Sequence, residues 1–191
     1  MGCDIHGGFF IKPNLRSRPQ HEWHWLPVSW PSGRNYSLFA ALAGVRNYHE
    51  SACIAEPRGL PEGFSQEQKV EPYWWCGHAY PRHGSDGLYV EFGDHSFSWL
   101  TLDEMLAFDW SQPVHMSGLV AEAGSVFSRG EVTYDADGEP SEYCMGTNAP
   151  AKEVKWTQPI SKRCKDFLLT IRYLKERFPK EEIMFVFGFD S

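Results

Sequence analysis

The stretch from Ser161 to Asp190, SKRCKDFLLTIRYLKERFPKEEIMFVFGFD, changes its hydrophobic period halfway along. In its first part Cys164, Phe167, Leu168, Ile171, Leu174 and Phe178 recur at three- and four-residue intervals, with basic residues opposite. That spacing lays an apolar stripe along one α-helix over 161–178. Pro179 has no backbone N–H and stops the helix. Residues 183–189, Ile-Met-Phe-Val-Phe-Gly-Phe, are then apolar with a single glycine, the pattern of a strand covered on both faces at the centre of a sheet.

Working outward, Ile5–Lys12 reads as a strand with a Gly7-Gly8 irregularity. Terminal strands often pair, which would bring Asp190 to its start. Residues 13–33 hold four prolines and the cluster His21-Glu22-Trp23-His24-Trp25, a loop followed by a short edge strand. Asn35 caps a helix whose Leu38, Phe39, Leu42 and Val45 keep helical spacing up to Arg46-Asn47. Residues 54–63 form a turn-rich loop. Ser65 with Gln68 fits a capping box for one turn of helix. Leu88–Phe92 reads as a strand, and Gly93–Trp99 as a loop between it and a helix that Thr101 and Glu104 cap. Val126–Tyr143 reads as a β-hairpin turning at Asp137-Gly138.

These elements predict one α+β domain over 1–191, a central mixed or antiparallel sheet with about three helices and long aromatic-rich loops. A chain of 191 residues suits a single core.

Composition restricts function. A net charge of −7 and a pI near 5.6 exclude the broad basic footprint of extended duplex nucleic acid. A small ligand with one or two phosphates needs only a few arginines. Five cysteines are odd in number, scattered and without a C-x-x-C, which favours reduced thiols and a cytoplasmic setting. The chain shows no apolar run of membrane-spanning length and no signal-peptide pattern, so no membrane partner is expected. Met1-Gly2-Cys3 lacks the Ser or Thr that N-myristoylation requires at position six, where His6 stands.

Several motifs fail on spacing. His21-Glu22-Trp23-His24 is one residue short of a zincin helix. Asp135-Ala136-Asp137-Gly138 places its glycine too early for a calcium loop, and Cys144 stands where the closing glutamate belongs. No phosphate loop and no G-x-S-x-G elbow occur.

The residues that remain form three groups. Asp4 and His6 lie two apart on a strand and share a face. They could hold a divalent metal, the one cofactor this pair suggests, or act as a histidine base oriented by a carboxylate. Asp94 and His95 follow a strand, where sites tend to sit; Asp94 is a further metal candidate and His95 a further proton carrier. Arg34-Asn35, Arg46-Asn47 and Arg58, the last in a loop stiffened by two prolines, are candidates for a phosphate or carboxylate pocket, together with Ser98. The plain alternatives are a satisfied core pair at Asp4/His6, helix capping by Asn35 and Arg46, and structural ion pairs for the arginines.

The blocks MGCDIH (1–6), RNYSLFAALAGVRN (34–47), PRGLP (57–61), HSFSWLTLDEM (95–105) and VFGFDS (186–191) resemble, in order, a family of small bacteriophage and prophage proteins. The resemblance implies a phage-encoded protein of the host cytosol and carries no activity with it. That family reads H-S-H-S-W before the capped helix, and Phe97 here replaces the second histidine. Asp4-Ile5-His6-Gly7 also resembles the first motif of calcineurin-type metallophosphoesterases, and Gly93-Asp94 their second, but their third motif is absent. Three functions follow as expectations. The first is a binding protein for a nucleotide-like ligand, in a sequestering or counter-defence role. The second is a metal-dependent phosphoester hydrolase using Asp4 and His6. The third is an interaction module contacting a host protein through Trp-rich loops at 23–30 and 73–75.

Overall fold

In chain order the elements are β1 (Asp4–Lys12), β2 (His24–Leu26), α1 (Tyr36–Ala43), β3 (Glu67–Val70), β4 (Leu88–Glu91), β5 (His95–Thr101), α2 (Leu102–Ala107), β6 (Pro113–Ala121), β7 (Ala151–Pro159), α3 (Ile160–Arg163), α4 (Lys165–Arg177) and β8 (Glu182–Asp190). The computed structural model describes residues 2–13, 22–48, 50–71, 73, 87–121, 132–144, 146 and 150–191. His21, Trp74, Trp75, Cys76 and residues 126–131 of the 126–143 hairpin lie outside them.

The fold is α+β, and its sheets are antiparallel. The central sheet has the order β2-β1-β8-β5, so the apolar 183–189 run is an interior strand, as its composition requires. β1 and β8 pair over their full length, from Asp4↔Asp190 to Lys12↔Glu182. Alternation then divides the side chains between two cores. On one face Ile5, Phe9, Ile11, Phe185, Phe187 and Phe189 pack under α1 and α4. Phe9, Phe167 and Phe185 hold ring centroids 4.7–6.2 Å apart. On the other face Phe10, Met184 and Val186 pack under the β3–β4 pair through Val70, Val90 and Phe92. Burying each aromatic ring contributes on the order of 2–3 kcal/mol, so these clusters dominate stability.

Two glycines make the strand crossings tight. A Cβ on Gly7 would lie 2.4 Å from the Val186 carbonyl oxygen, and one on Gly188 would lie 2.0 Å from that of Phe92. Neither site can accept a side chain without moving backbone.

The structure departs from the sequence reading in five places. The first helix, read as continuing to Arg46-Asn47, ends at Ala43, where Gly44 turns left-handed at φ 68°. The 161–178 helix is two helices, because Cys164 leaves helical geometry at φ −110° and ψ 18°. The first turn answers to other partners: Ile160 and Ser161 donate their N–H groups to the carbonyls of Gln112 and Trp110. Residues 95–101, read mostly as loop, form β5 with a bulge between His95 and Ser98. Gln68 does accept the Ser65 N–H at 2.9 Å, as a capping box would, yet 67–70 is a strand paired to β4. The β6–β7 ribbon has no counterpart in that reading.

The Asp137-Gly138 turn is present, with Gly138 at φ 80°. Lys162 sits where a calcium loop would put its ion. Its ammonium contacts Asp135, and lies 3.1 Å from Asp137 and 3.0 Å from Glu139. The three carboxylates lift the lysine pKa above its ordinary value. Among the described residues, no helix is long and apolar enough to cross a membrane.

Candidate functional site at the shared end of the first and last strands

The direct pairing of Asp4 with Asp190 places two carboxylates side by side on one face. Left alone they would repel. Each is instead held by a different partner. Arg34, just before α1, makes a two-pronged contact with Asp4: Nε donates to Oδ1 at 2.6 Å and Nη2 to Oδ2 at 3.0 Å. Asp190 lies 2.8 Å through Oδ2 from His6 Nε2, and its Oδ1 accepts the Asp4 N–H at 3.0 Å. The Arg34 bonds draw the Asp4 carboxyl below its ordinary pKa, and the His6 bond followed by the Asp4 N–H does the same for Asp190.

An ionised carboxylate only accepts hydrogen bonds, so Nε2 of His6 is the donor. That fixes the tautomer and leaves Nδ1 carrying the lone pair when the ring is neutral. Nδ1 makes no hydrogen bond to a described residue. The dyad is thus a histidine oriented by a carboxylate, an arrangement that can take up a proton at Nδ1, and the side chains of His6 and Asp190 are 36% and 42% exposed.

Two depressions meet at His6. One, of about 400 Å³, is lined by His6, Asp190, Gln66, Glu67, Glu91 and Gly93. The other, of about 600 Å³, runs along Asp4–Gly7, with Trp30 and Ser32 on one wall and Tyr89–Glu91 on the other. It exists because β2 pairs with β1 only at Phe9–Ile11 and leaves the start of β1 uncovered by that strand.

The other expected site residues disperse. Arg46 donates to Tyr48 Oη at 3.4 Å and lies near the Cys3 thiol; it has no carboxylate partner among the described residues. Its backbone lies at φ 52°. Burial raises the Cys3 pKa despite that arginine. Arg34 also abuts Gly2, where a Cβ would fall 2.3 Å from Nη1, so Arg34 and Arg46 both reach residues 2–4. Arg58 pairs with Glu104 at 2.7 Å and covers the Trp99 ring at 5.1 Å. Ser98 is fully buried and accepts the Arg58 N–H. Asn35 caps α1 and donates to the Arg163 carbonyl, and Asn47 exchanges bonds with Ser51. The plain reading of capping and ion pairs therefore accounts for Asn35, Arg34 and Arg58, and Asn47 and Ser98 are held by hydrogen bonds within the protein.

The metal set Asp4, His6 and Asp94 is not assembled. Among the described residues no group of three His, Cys, Asp or Glu side chains is arranged to hold an ion. His95 stacks on Phe189, whose side chain lies on the opposite face of β8 from Asp190, so it does not join the His6 dyad. Sequence reasoning found Asp4 and His6 by alternation and weighed Asp190 as a neighbour. It did not pair Arg34 with Asp4, since no local pattern links residues thirty apart. No family model, curated protein or solved structure matches the chain.

Proposed function

We propose that the chain is a phage-type cytosolic accessory protein that binds a small phosphate-bearing, nucleotide-like ligand at the β1–β8 corner, in a sequestering or counter-defence role. The observation that carries this reading is that two arginines come to successive residues at the start of β1, Arg46 near Cys3 and Arg34 on Asp4, and that the groove of about 600 Å³ begins at Asp4. Arg46 lacks a carboxylate partner among the described residues, so its guanidinium keeps its charge for an anion. Trp30, Ser32 and Tyr89 line the groove together with the acidic residues Asp4 and Glu91. Thermal-shift titration with nucleoside mono- and diphosphates tests it. Arg46→Ala breaks no ion pair to a described residue and should fold, but weaken binding about tenfold or more, a loss of about 1.4 kcal/mol. An unchanged shift in Arg46→Ala rejects the site.

The His6–Asp190 dyad favours a second reading, hydrolysis of a phosphoester with Nδ1 of His6 taking the proton of the attacking water. A divalent ion at Asp4 would have to displace Arg34 from both carboxylate oxygens. Turnover of a phosphoester panel with Mg2+ or Mn2+ should fall about 100-fold in Asp190→Asn, within the usual range for losing acid–base assistance. No turnover by the native chain under any of these conditions rejects this reading.

A further inference from the structure

β5 carries a strained residue that neither reading uses. Ser96 lies at φ 50° within the bulge between His95 and Ser98, in the left-handed region that a residue with a Cβ seldom adopts. Strain of this kind persists only where the surroundings impose it, and it clusters at functional positions. The flanking backbone is held on both sides. Asp94 donates its N–H to the Phe189 carbonyl at 2.7 Å, the Gly93 carbonyl accepts from Gln66 Nε2 at 2.5 Å, and the Phe97 carbonyl accepts the Gly59 N–H at 2.9 Å. Gly93 takes φ 79° against the Phe189 backbone, where a Cβ would approach within 2.4 Å of the carbonyl oxygen.

The bulge brings three polar side chains into a line. Ser96 Oγ lies 2.9 Å from His95 Nδ1, and Asp94 Oδ1 lies 3.9 Å from His95 Nε2. At 3.9 Å the carboxylate is beyond hydrogen-bond reach and favours a proton on Nε2 through its charge alone; in that tautomer Nδ1 accepts from the serine hydroxyl. The imidazole itself is seated on the Phe189 ring, 6.1 Å between centroids at 24°. These are the relations of an activated serine: nucleophile, base, and a carboxylate that selects the base's tautomer.

We propose that Ser96 is a nucleophile, with His95 as its base and Asp94 as the positioning carboxylate, acting on a neutral carboxylic ester. The charged partner of the trio is an anion, which disfavours an anionic phosphate ester and suits an uncharged electrophile such as a carboxylic ester. Ser96 Oγ forms a bond to the acyl carbon while its proton passes to Nδ1. The ester C–O bond then breaks, and the alcohol leaves with that proton. Water, deprotonated by His95, cleaves the acyl-serine and returns the hydroxyl. The site is separate from the His6–Asp190 dyad, so the two stand or fall independently.

The full chain treated with a fluorophosphonate should acquire one phosphonyl group, mapped to Ser96 by peptide mass spectrometry. Ser96→Gly, which relieves the strain and should unfold at or above the native temperature, should lose the adduct. His95→Gln should be labelled at least tenfold more slowly, and p-nitrophenyl acetate hydrolysis should fall in step. No adduct on the native chain, an adduct at another residue, or undiminished labelling of His95→Gln would each overturn the proposal.

Discussion

Glu104→Gln isolates one charge at a well-defined junction. Glu104 sits in the first turn of α2, bonds back to Thr101 in a capping box, and takes Arg58 on both carboxylate oxygens at 2.7 and 3.2 Å. Arg58 first, then the Thr101 backbone and hydroxyl, draw its pKa from 4.5 down to about 2. Taken whole, that difference is an upper limit of about 3 kcal/mol. The side chain is 35% exposed, and solvent screening of such a pair reduces the figure to about 1–2 kcal/mol. Because the folded pKa is depressed, this stabilisation is complete above pH 4.5 and is lost as pH falls towards 2.

Glutamine keeps the capping geometry and removes the charge. Glu104→Gln should therefore melt about 2–8 °C lower at neutral pH. The gap should close between pH 4.5 and 2. Other carboxylates titrate in the same range, so the informative quantity is the difference between variant and native chain in calorimetry or urea unfolding. A gap equally large at both ends of the range would mean that the side chain acts by packing and not by charge. No gap at neutral pH would refute the ion pair.

Phe185→Ala removes a ring packed against Phe9, Phe167, Phe187 and Trp30 and should cost about 3–5 kcal/mol, read from the urea midpoint. Gly188→Ala, with its Cβ 2.0 Å from the Phe92 oxygen, should cost about 3 kcal/mol by overpacking; an unchanged midpoint would contradict the close crossing. Among the cysteines of the described residues, alkylation mapped by mass spectrometry at pH 8 should modify exposed Cys144 first. Cys164, whose burial pushes its pKa up to about 12, should react only on unfolding.

Apart from the pairing of the terminal strands, what could be read from sequence was local. The stripe from Phe167 to Leu174, the Asn35 cap and the Thr101–Glu104 box each depend on residues within a turn or two, and all three appear. β5 was obscured because His95–Ser98 has little strand character of its own; it is extended because the apolar β8 lies beside it. The Ser65–Gln68 contact formed as its residues suggest, but pairing with β4 determined the backbone. β6 and β7 did leave a trace, Val114, Met116 and Val120 facing Trp156 and Gln158 by alternation, interrupted by Gly118. At the site, period-two alternation put Asp4 and His6 together. The Arg34 contact and the separation of His95 from His6 depend on a register that only the folded sheet defines.

The pairing of Asp4 with Asp190 also dictates when the site can come into being. His6 and its carboxylate are separated by 184 positions, so a ribosome must finish nearly all of this stretch before the dyad can close. β8 is made after the two strands it joins, and β1 and β5 must wait for it unpaired with each other. A truncated product ending before residue 182 would lack the dyad and the middle of the sheet, leaving the Phe-rich faces of β1 exposed to chaperones and proteases.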